Sequence, residues 1–140
     1  MHIPGHLAIA LVQHRFPILS KDKNTLKPLL IASLFPDLVD KSLGYGFRIM
    51  PNGRHYAHNI FSLVGSTAFV TAVWGKKTGY AWFAGYSGHL IVDRNSLVPW
   101  LFPLQAYNFT QGRLTWDRSQ LFKEMLFLFL ALIVYRLAPQ

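Results

Sequence analysis

Several histidines and aspartates of this 140-residue chain fall into pairs whose spacing is suited to chemistry. His89 and Asp93 are four residues apart, and Asp37 and Asp40 are three apart. Residues three or four apart share one face of a helix, so each pair would present its side chains together. Imidazole nitrogens and carboxylate oxygens are ligands that Zn²⁺, Mn²⁺ and Mg²⁺ accept. Because the chain has no cysteine, the pattern predicts a divalent-metal site built from nitrogen and oxygen ligands.

A third polar cluster contains Arg54, His55 and His58. The two histidines are three apart, which predicts that they also share a helix face. Arg54 beside a metal would suit an anionic substrate, because guanidinium groups bind phosphate and carboxylate strongly. Taken alone, His58 could merely cap a helix. We expect His2, His14 and His55 to lie outside the site.

The composition indicates which solvent surrounds these residues. Half of the chain is hydrophobic (51%) and only 14% is charged, whereas soluble domains are about 25% charged. The net charge of +8 could suit nucleic acid, but the basic residues lie at the ends of apolar segments rather than along one stripe. Anionic lipid head groups are therefore the expected partner, and nucleic acid is not.

The apolar segments predict a single all-α domain over residues 1–140, a polytopic membrane bundle of about five helices. Three segments read as spanning helices, namely 57–74, 80–92 and 121–137. Two shorter segments, 3–12 and 26–35, are too short to cross a bilayer and suggest tilted or re-entrant helices. Trp100, Phe102 and Trp116 lie in the last long loop and are expected at the membrane interface.

Five helices that alternate in direction would bring the polar residues to one face. That face would contain the start of the first and third helices and the end of the second and fourth. These places carry, in chain order, His6, then Asp37 and Asp40, then Arg54 and His58, then His89 and Asp93. Ionisable residues beside lipid are costly, which makes each of them a candidate for function.

The same residues carry a family resemblance over about residues 1–110. Gly5-His6-Leu7, Phe35-Pro36-Asp37, Arg54 with Ala57-His58, Gly85-Tyr86-Ser87-Gly88-His89 with Asp93, and Leu101-Phe102-Pro103 resemble the small prokaryotic proteins known as membrane-bound metal-dependent hydrolases. The resemblance implies five metal ligands: His6, Asp37, His58, His89 and Asp93. That family is distantly similar to zinc-dependent phospholipases C and single-strand nucleases, which implies hydrolysis of a phosphoester.

We therefore expect a multi-pass hydrolase of the prokaryotic inner membrane. Its divalent metal would be Zn²⁺, with Mn²⁺ and Mg²⁺ as alternatives, and the metal would activate water. Asp40 or Asp37 would act as the general base, and Arg54 would neutralise the charge of the substrate. A site at the depth of the head groups favours a lipid or lipid-linked phosphoester.

The alternative is a non-catalytic membrane subunit that keeps the scaffold and packs against partner membrane proteins. Val39 stands where the family pattern has a second aspartate, and Ala57 and Asn59 stand where it has threonine and serine. In a variant of this interpretation, His58 or His89 is an axial ligand of a tetrapyrrole. The neighbouring aspartates argue against the variant, because such a ligand needs no carboxylates.

Overall fold

Helices form almost all of the regular structure in the computed structural model, which describes residues 2–95, 98–112 and 117–137. The α-helices of these ranges are α1 (Ile3–His14), α2 (Pro17–Ser20), α3 (Leu26–Lys41), α4 (Ile60–Trp74), α5 (Lys76–Val92) and α6 (Arg118–Leu137). Short 3-10 turns cover Lys23–Thr25 and Asp93–Asn95, and a π-helical turn covers Ser42–Gly46. The all-α prediction is confirmed for the described residues, with five helices of twelve residues or more.

The long helices alternate in direction, as the sequence predicts. His6 near the start of α1 lies beside Asp37 near the end of α3, and His14 at the end of α1 bonds to Thr25 at the start of α3. These two helices are therefore antiparallel. Tyr135 near the end of α6 also bonds to His14, which places the ends of α6 and α1 together.

Two glycines allow α5 to pack tightly against its neighbours. A Cβ on Gly85 would lie 2.2 Å from the carbonyl oxygen of Leu29, so only glycine permits this approach of α3 and α5. Gly75, with φ of +86°, makes the turn between α4 and α5, a conformation that glycine adopts without strain. Tyr86 and Leu90 of α5 are fully buried in the core that results.

Helix α3 extends beyond its predicted end. The sequence predicts a stop at Phe35, because proline removes a backbone donor and disfavours helix in the residue before it. The helix instead continues through Pro36 to Lys41. Buried residues on both sides, from Leu29 to Asp40, provide packing that outweighs one lost hydrogen bond. Asp37 and Asp40 therefore both lie on α3 itself.

Helix α4 begins at Ile60, three residues later than predicted. Asn59 has extended backbone, and its side chain accepts a hydrogen bond from the amide of Ser62 at 2.9 Å. This is the geometry of an N-cap, for which asparagine is well suited. His55 and His58 thus lie in the preceding loop, and the prediction that they share a helix face is wrong.

Helix α5 differs in the opposite direction, because it begins at Lys76, before the predicted start at Tyr80. In the described ranges, none of the helices combines the length and the hydropathy needed to cross a bilayer. Large apolar side chains are nevertheless exposed along α4 and α6, among them Phe69 and Phe129. Trp100 is partly exposed, and the predicted interfacial Trp116 lies outside the described residues.

Candidate metal centre

Five polar side chains from four parts of the chain meet at one end of the bundle. They are His6 of α1, Asp37 of α3, His58 of the loop before α4, His89 of α5 and Asp93 just after it, and all five are buried. One ligand atom from each of Asp37, His58, His89 and Asp93 lies within 4.8 Å of the others. The Nε2 atom of His6 lies 3.6 Å from Oδ1 of Asp93 and 3.8 Å from Oδ2 of Asp37. The predicted convergence is confirmed, while the ligand roles stay a prediction.

Two of the histidines point their Nε2 atoms at each other. His89 donates from Nδ1 to the carbonyl of Ser33 at 2.7 Å, and His58 donates from Nδ1 to Asp40 Oδ2 at 2.7 Å. In a neutral ring held this way the lone pair is at Nε2, and the two Nε2 atoms are 3.2 Å apart, within hydrogen-bond distance when one of them carries a proton. Two nitrogens bound to a tetrahedral Zn²⁺, each at about 2.0–2.1 Å, lie about 3.3–3.4 Å apart. The spacing suits a cation between the two rings.

Further atoms of the cluster are buried without a hydrogen-bond partner. Both ring nitrogens of His6 and the Oδ1 atom of Asp37 are of this kind. An unsatisfied buried polar group costs about 1–3 kcal/mol. Asp37 Oδ1 lies 3.6 Å from Nε2 of His58 and 3.9 Å from Nε2 of His89. A cation here would satisfy Asp37 Oδ1 and Nε2 of His6 together, and three imidazoles with two carboxylates fit Zn²⁺ or Mn²⁺.

The two carboxylates are held from outside by basic side chains. Lys41 Nζ bonds to Oδ2 of Asp37, and Arg54 donates to Oδ2 of Asp93 at 2.7 Å. Burial tends to raise the pKa of each aspartate, but His58, His89 and Lys41 bring the pKa of Asp37 below its usual range. Arg54 does the same for Asp93. Both aspartates are therefore ionised, and Oδ1 of Asp37 is left without a hydrogen-bond partner in the cluster.

Asp40 serves a different purpose from its neighbours. It accepts hydrogen bonds from the backbone amides of His55, Ala57 and His58 at 2.7, 2.9 and 3.1 Å, besides the bond to the His58 ring. Burial raises the pKa of Asp40, but these donors outweigh burial and lower it. A carboxylate so engaged is poorly placed to accept a proton from water. The geometry favours a role in orienting His58 rather than the predicted role of general base.

The carboxylates of Asp37 and Asp40 also affect the protonation of His58. Burial tends to lower the pKa of its imidazole, but Asp37 and Asp40 outweigh burial and raise it. The cluster thus favours a positive charge at this point. A proton and a metal ion would compete for His58 Nε2.

Sequence reasoning missed Lys41, although its bond to Asp37 spans four residues of one helix. The i,i+4 spacing would have revealed the pair. The prediction that the helix ends before Pro36 concealed it.

Glu124 of α6 was missed for a different reason. Its buried carboxylate accepts hydrogen bonds from the backbone amides of His2 at 2.9 Å and Gly5 at 3.3 Å. Glu124 thereby caps the start of α1, next to His6, and completes an N-terminus that lacks a side-chain cap of its own. A contact over 119 residues has no local sequence signal.

The histidines expected to lie outside the cluster do so. His14 bonds to Thr25 and Tyr135 at the other end of α1. The ring of His55 packs against Phe109 with a centroid distance of 3.9 Å. Its amide, rather than its ring, contributes to the site through Asp40.

A family comparison identifies the chain's relatives. The family model described as YdjM inner membrane protein matches residues 1–139. The chain belongs to this family. The match confirms a small prokaryotic membrane protein and the inner membrane as its location. No curated protein and no solved structure matches the chain, and hydrolysis and metal binding stay predictions.

Proposed function

We propose that the chain is a metal-dependent hydrolase of the inner membrane that acts on phosphoesters. His6, Asp37, His58, His89 and Asp93 would hold one divalent ion, with Zn²⁺ as the first candidate. The observation that carries the proposal is the pair of Nε2 atoms 3.2 Å apart, in two rings whose Nδ1 atoms each donate a hydrogen bond to an oxygen. A bound Zn²⁺ would supply an activated water.

The residues around the cluster have separate tasks in this proposal. Asp40 holds His58 in the tautomer and orientation that a ligand needs, an arrangement known from many metal sites. Lys41 and Arg54 are the basic residues bonded to the two aspartates, and their side chains are 30% and 21% exposed. Arg54 uses one N–H for Asp93, and its remaining donors suit a phosphate group at the entrance.

The membrane placement is part of the same proposal. The helices would enter the bilayer together as a multi-pass bundle, with the exposed apolar faces of α4 and α6 towards lipid. Val64, Phe69 and Phe129 are each more than half exposed, which in water would be costly for side chains of this size. Membership of an inner membrane family supports the placement. The metal cluster would then lie near the head groups.

Metal analysis of the full chain tests the proposal. Protein purified in detergent with added zinc should contain about one Zn²⁺ per chain, and His89→Asn should lose it. His14→Asn is the matched control, because His14 is equally buried but lies at the other end of α1. Hydrolysis of bis(p-nitrophenyl) phosphate should follow the zinc content. Wild-type protein that takes up no divalent metal would refute the proposal.

A second function is a membrane subunit that binds the metal but does not turn over. The hydrogen bonding of Asp40 favours it, because this carboxylate already accepts four bonds. One Zn²⁺ per chain with no hydrolysis of any phosphodiester, together with stoichiometric co-purification of a larger partner, would select this function. An absorption band in the Soret region would instead select the tetrapyrrole variant.

A further inference from the structure

An open groove lies against α4, beside the loop that carries His58. Its volume is about 420 Å³, within the range of small-molecule sites, which is about 300–1,000 Å³. Aromatic rings form much of its wall, including Phe35, Phe61 and Phe102. A site of this size and lining is suited to an apolar ligand.

Several residues of the groove wall are close in sequence to residues of the metal cluster. Tyr56 and Asn59 line it and lie in the same loop as His58, and Phe35 lies two residues before Asp37. The ring of Phe102 contacts Tyr56 with a centroid distance of 5.7 Å. The groove wall and the metal cluster therefore share the loop that carries His58.

The polar groups of the groove wall are largely engaged within the protein. Asn59 donates to the carbonyls of His55 and Tyr56 at 3.0 and 2.7 Å and accepts from the amide of Ser62. The hydroxyl of Ser66 accepts from the indole of Trp82 at 3.0 Å. A polar ligand would gain little from these groups, whereas an apolar chain would bury surface without displacing a hydrogen bond.

The groove also opens towards the surface that faces lipid in the proposed placement. Phe61 on its rim is 43% exposed, and Val64 next to it on α4 is 57% exposed. An apolar chain could therefore pass from the bilayer into the groove without crossing water. The continuity of the two apolar surfaces favours a lipid over a water-soluble ligand.

We propose that this groove binds one acyl chain of a membrane phospholipid. The inference rests on the proposed function in one respect, namely that the phosphoester of the same lipid would reach the metal cluster. It identifies the substrate class as a lipid phosphoester with a long acyl chain. The binding of the chain itself requires no turnover.

Gly65 provides a test of the groove. It lines the groove, and a Cβ added to it would meet no atom within 4 Å. Gly65→Leu should therefore place its side chain in the groove with no clash at the Cβ atom, and it replaces glycine by a better helix former. Gly65→Ala leaves most of the space open. Gly46→Leu is the matched control, since Gly46 also has open space but does not line the groove.

The probe is phosphatidylglycerol with a photoreactive diazirine in its acyl chain. The full chain and its variants would be placed in vesicles of phosphatidylethanolamine and phosphatidylglycerol, irradiated, and mapped by mass spectrometry of labelled peptides. Wild type, Gly65→Ala and Gly46→Leu should be labelled at residues 56–66 and 102–103. Gly65→Leu should lose at least about tenfold of this labelling, which corresponds to the exclusion of two methylene groups.

Activity assays separate failure of the groove from failure of the proposed function. If Gly65→Leu loses hydrolysis of a long-chain phospholipid but keeps hydrolysis of bis(p-nitrophenyl) phosphate, both proposals are supported. Unchanged labelling in a folded Gly65→Leu variant overturns the acyl-chain site, whatever the activity. Groove labelling that Gly65→Leu removes, in a wild type that hydrolyses neither compound, supports the acyl-chain site and overturns the proposed hydrolysis.

Discussion

Replacing Asp40 by asparagine tests whether this residue orients His58. The carboxylate accepts three bonds at Oδ2, from the amides of His55 and His58 and from the His58 ring, and one at Oδ1, from the amide of Ala57. An asparagine can keep its oxygen at the Oδ2 position, but its NH₂ group then faces the N–H of Ala57. The variant therefore leaves a buried donor unsatisfied and removes the charge that supports the His58 ring.

The expected magnitudes follow from these contacts. One unsatisfied buried donor should lower the free energy of unfolding by about 1–3 kcal/mol. Loss of the carboxylate behind a metal-binding histidine typically weakens metal affinity by about 10–100-fold, which corresponds to about 1.4–2.7 kcal/mol. Zn²⁺ affinity should therefore fall by this factor in Asp40→Asn.

The assay is competition for Zn²⁺ against a chromogenic chelator, with the full chain in detergent at pH 7. Asp22→Asn is the control, because Asp22 accepts from the amide of Asn24 at the other end of the bundle and asparagine can replace it there. The control should bind Zn²⁺ as tightly as wild type. A folded Asp40→Asn variant with wild-type zinc affinity would show that Asp40 does not orient the His58 ring.

Three further predictions concern α6, helix packing and pH. Glu124→Ala removes the cap of α1 beside His6 and should weaken Zn²⁺ binding about tenfold. Glu124→Gln keeps an acceptor and should weaken Zn²⁺ binding less. Chelator competition measures the zinc affinity of both variants. Gly85→Ala should lower the free energy of unfolding by at least about 1–3 kcal/mol, because its Cβ would overlap α3. Gly65→Ala has open space at its Cβ and should raise the thermal midpoint slightly. Equal thermal midpoints for the two variants would contradict the packing argument. Zn²⁺ affinity should rise up to about tenfold per pH unit while His58 is protonated and level off above its raised pKa; an affinity independent of pH between 5 and 8 would contradict this role of His58.

The sequence predicted the convergence of the polar cluster but not its internal bonding. Asp93 lies at the end of α5 and His6 at the start of α1, so alternating helix directions alone bring them to the same end of the bundle. The orientation of each ring depends on partners such as Ser33, whose carbonyl is 56 residues from His89 in sequence. Residue spacing contains no information about such a contact.

Local periodicity determined the helical class and the order of the long helices, because apolar segments separated by charged or glycine-containing turns have few other ways to bury their surface. Tertiary structure decided where the helices end. Packing allows α3 to continue through Pro36, and the Asn59 cap makes α4 begin only at Ile60. His58 therefore lies in a loop whose amides bond to Asp40. The sequence thus determined that histidines and aspartates meet near one end of the bundle. The tertiary structure decided which of them face one another and which hold the others in place, because burial and hydrogen bonding between distant residues are properties of the folded chain.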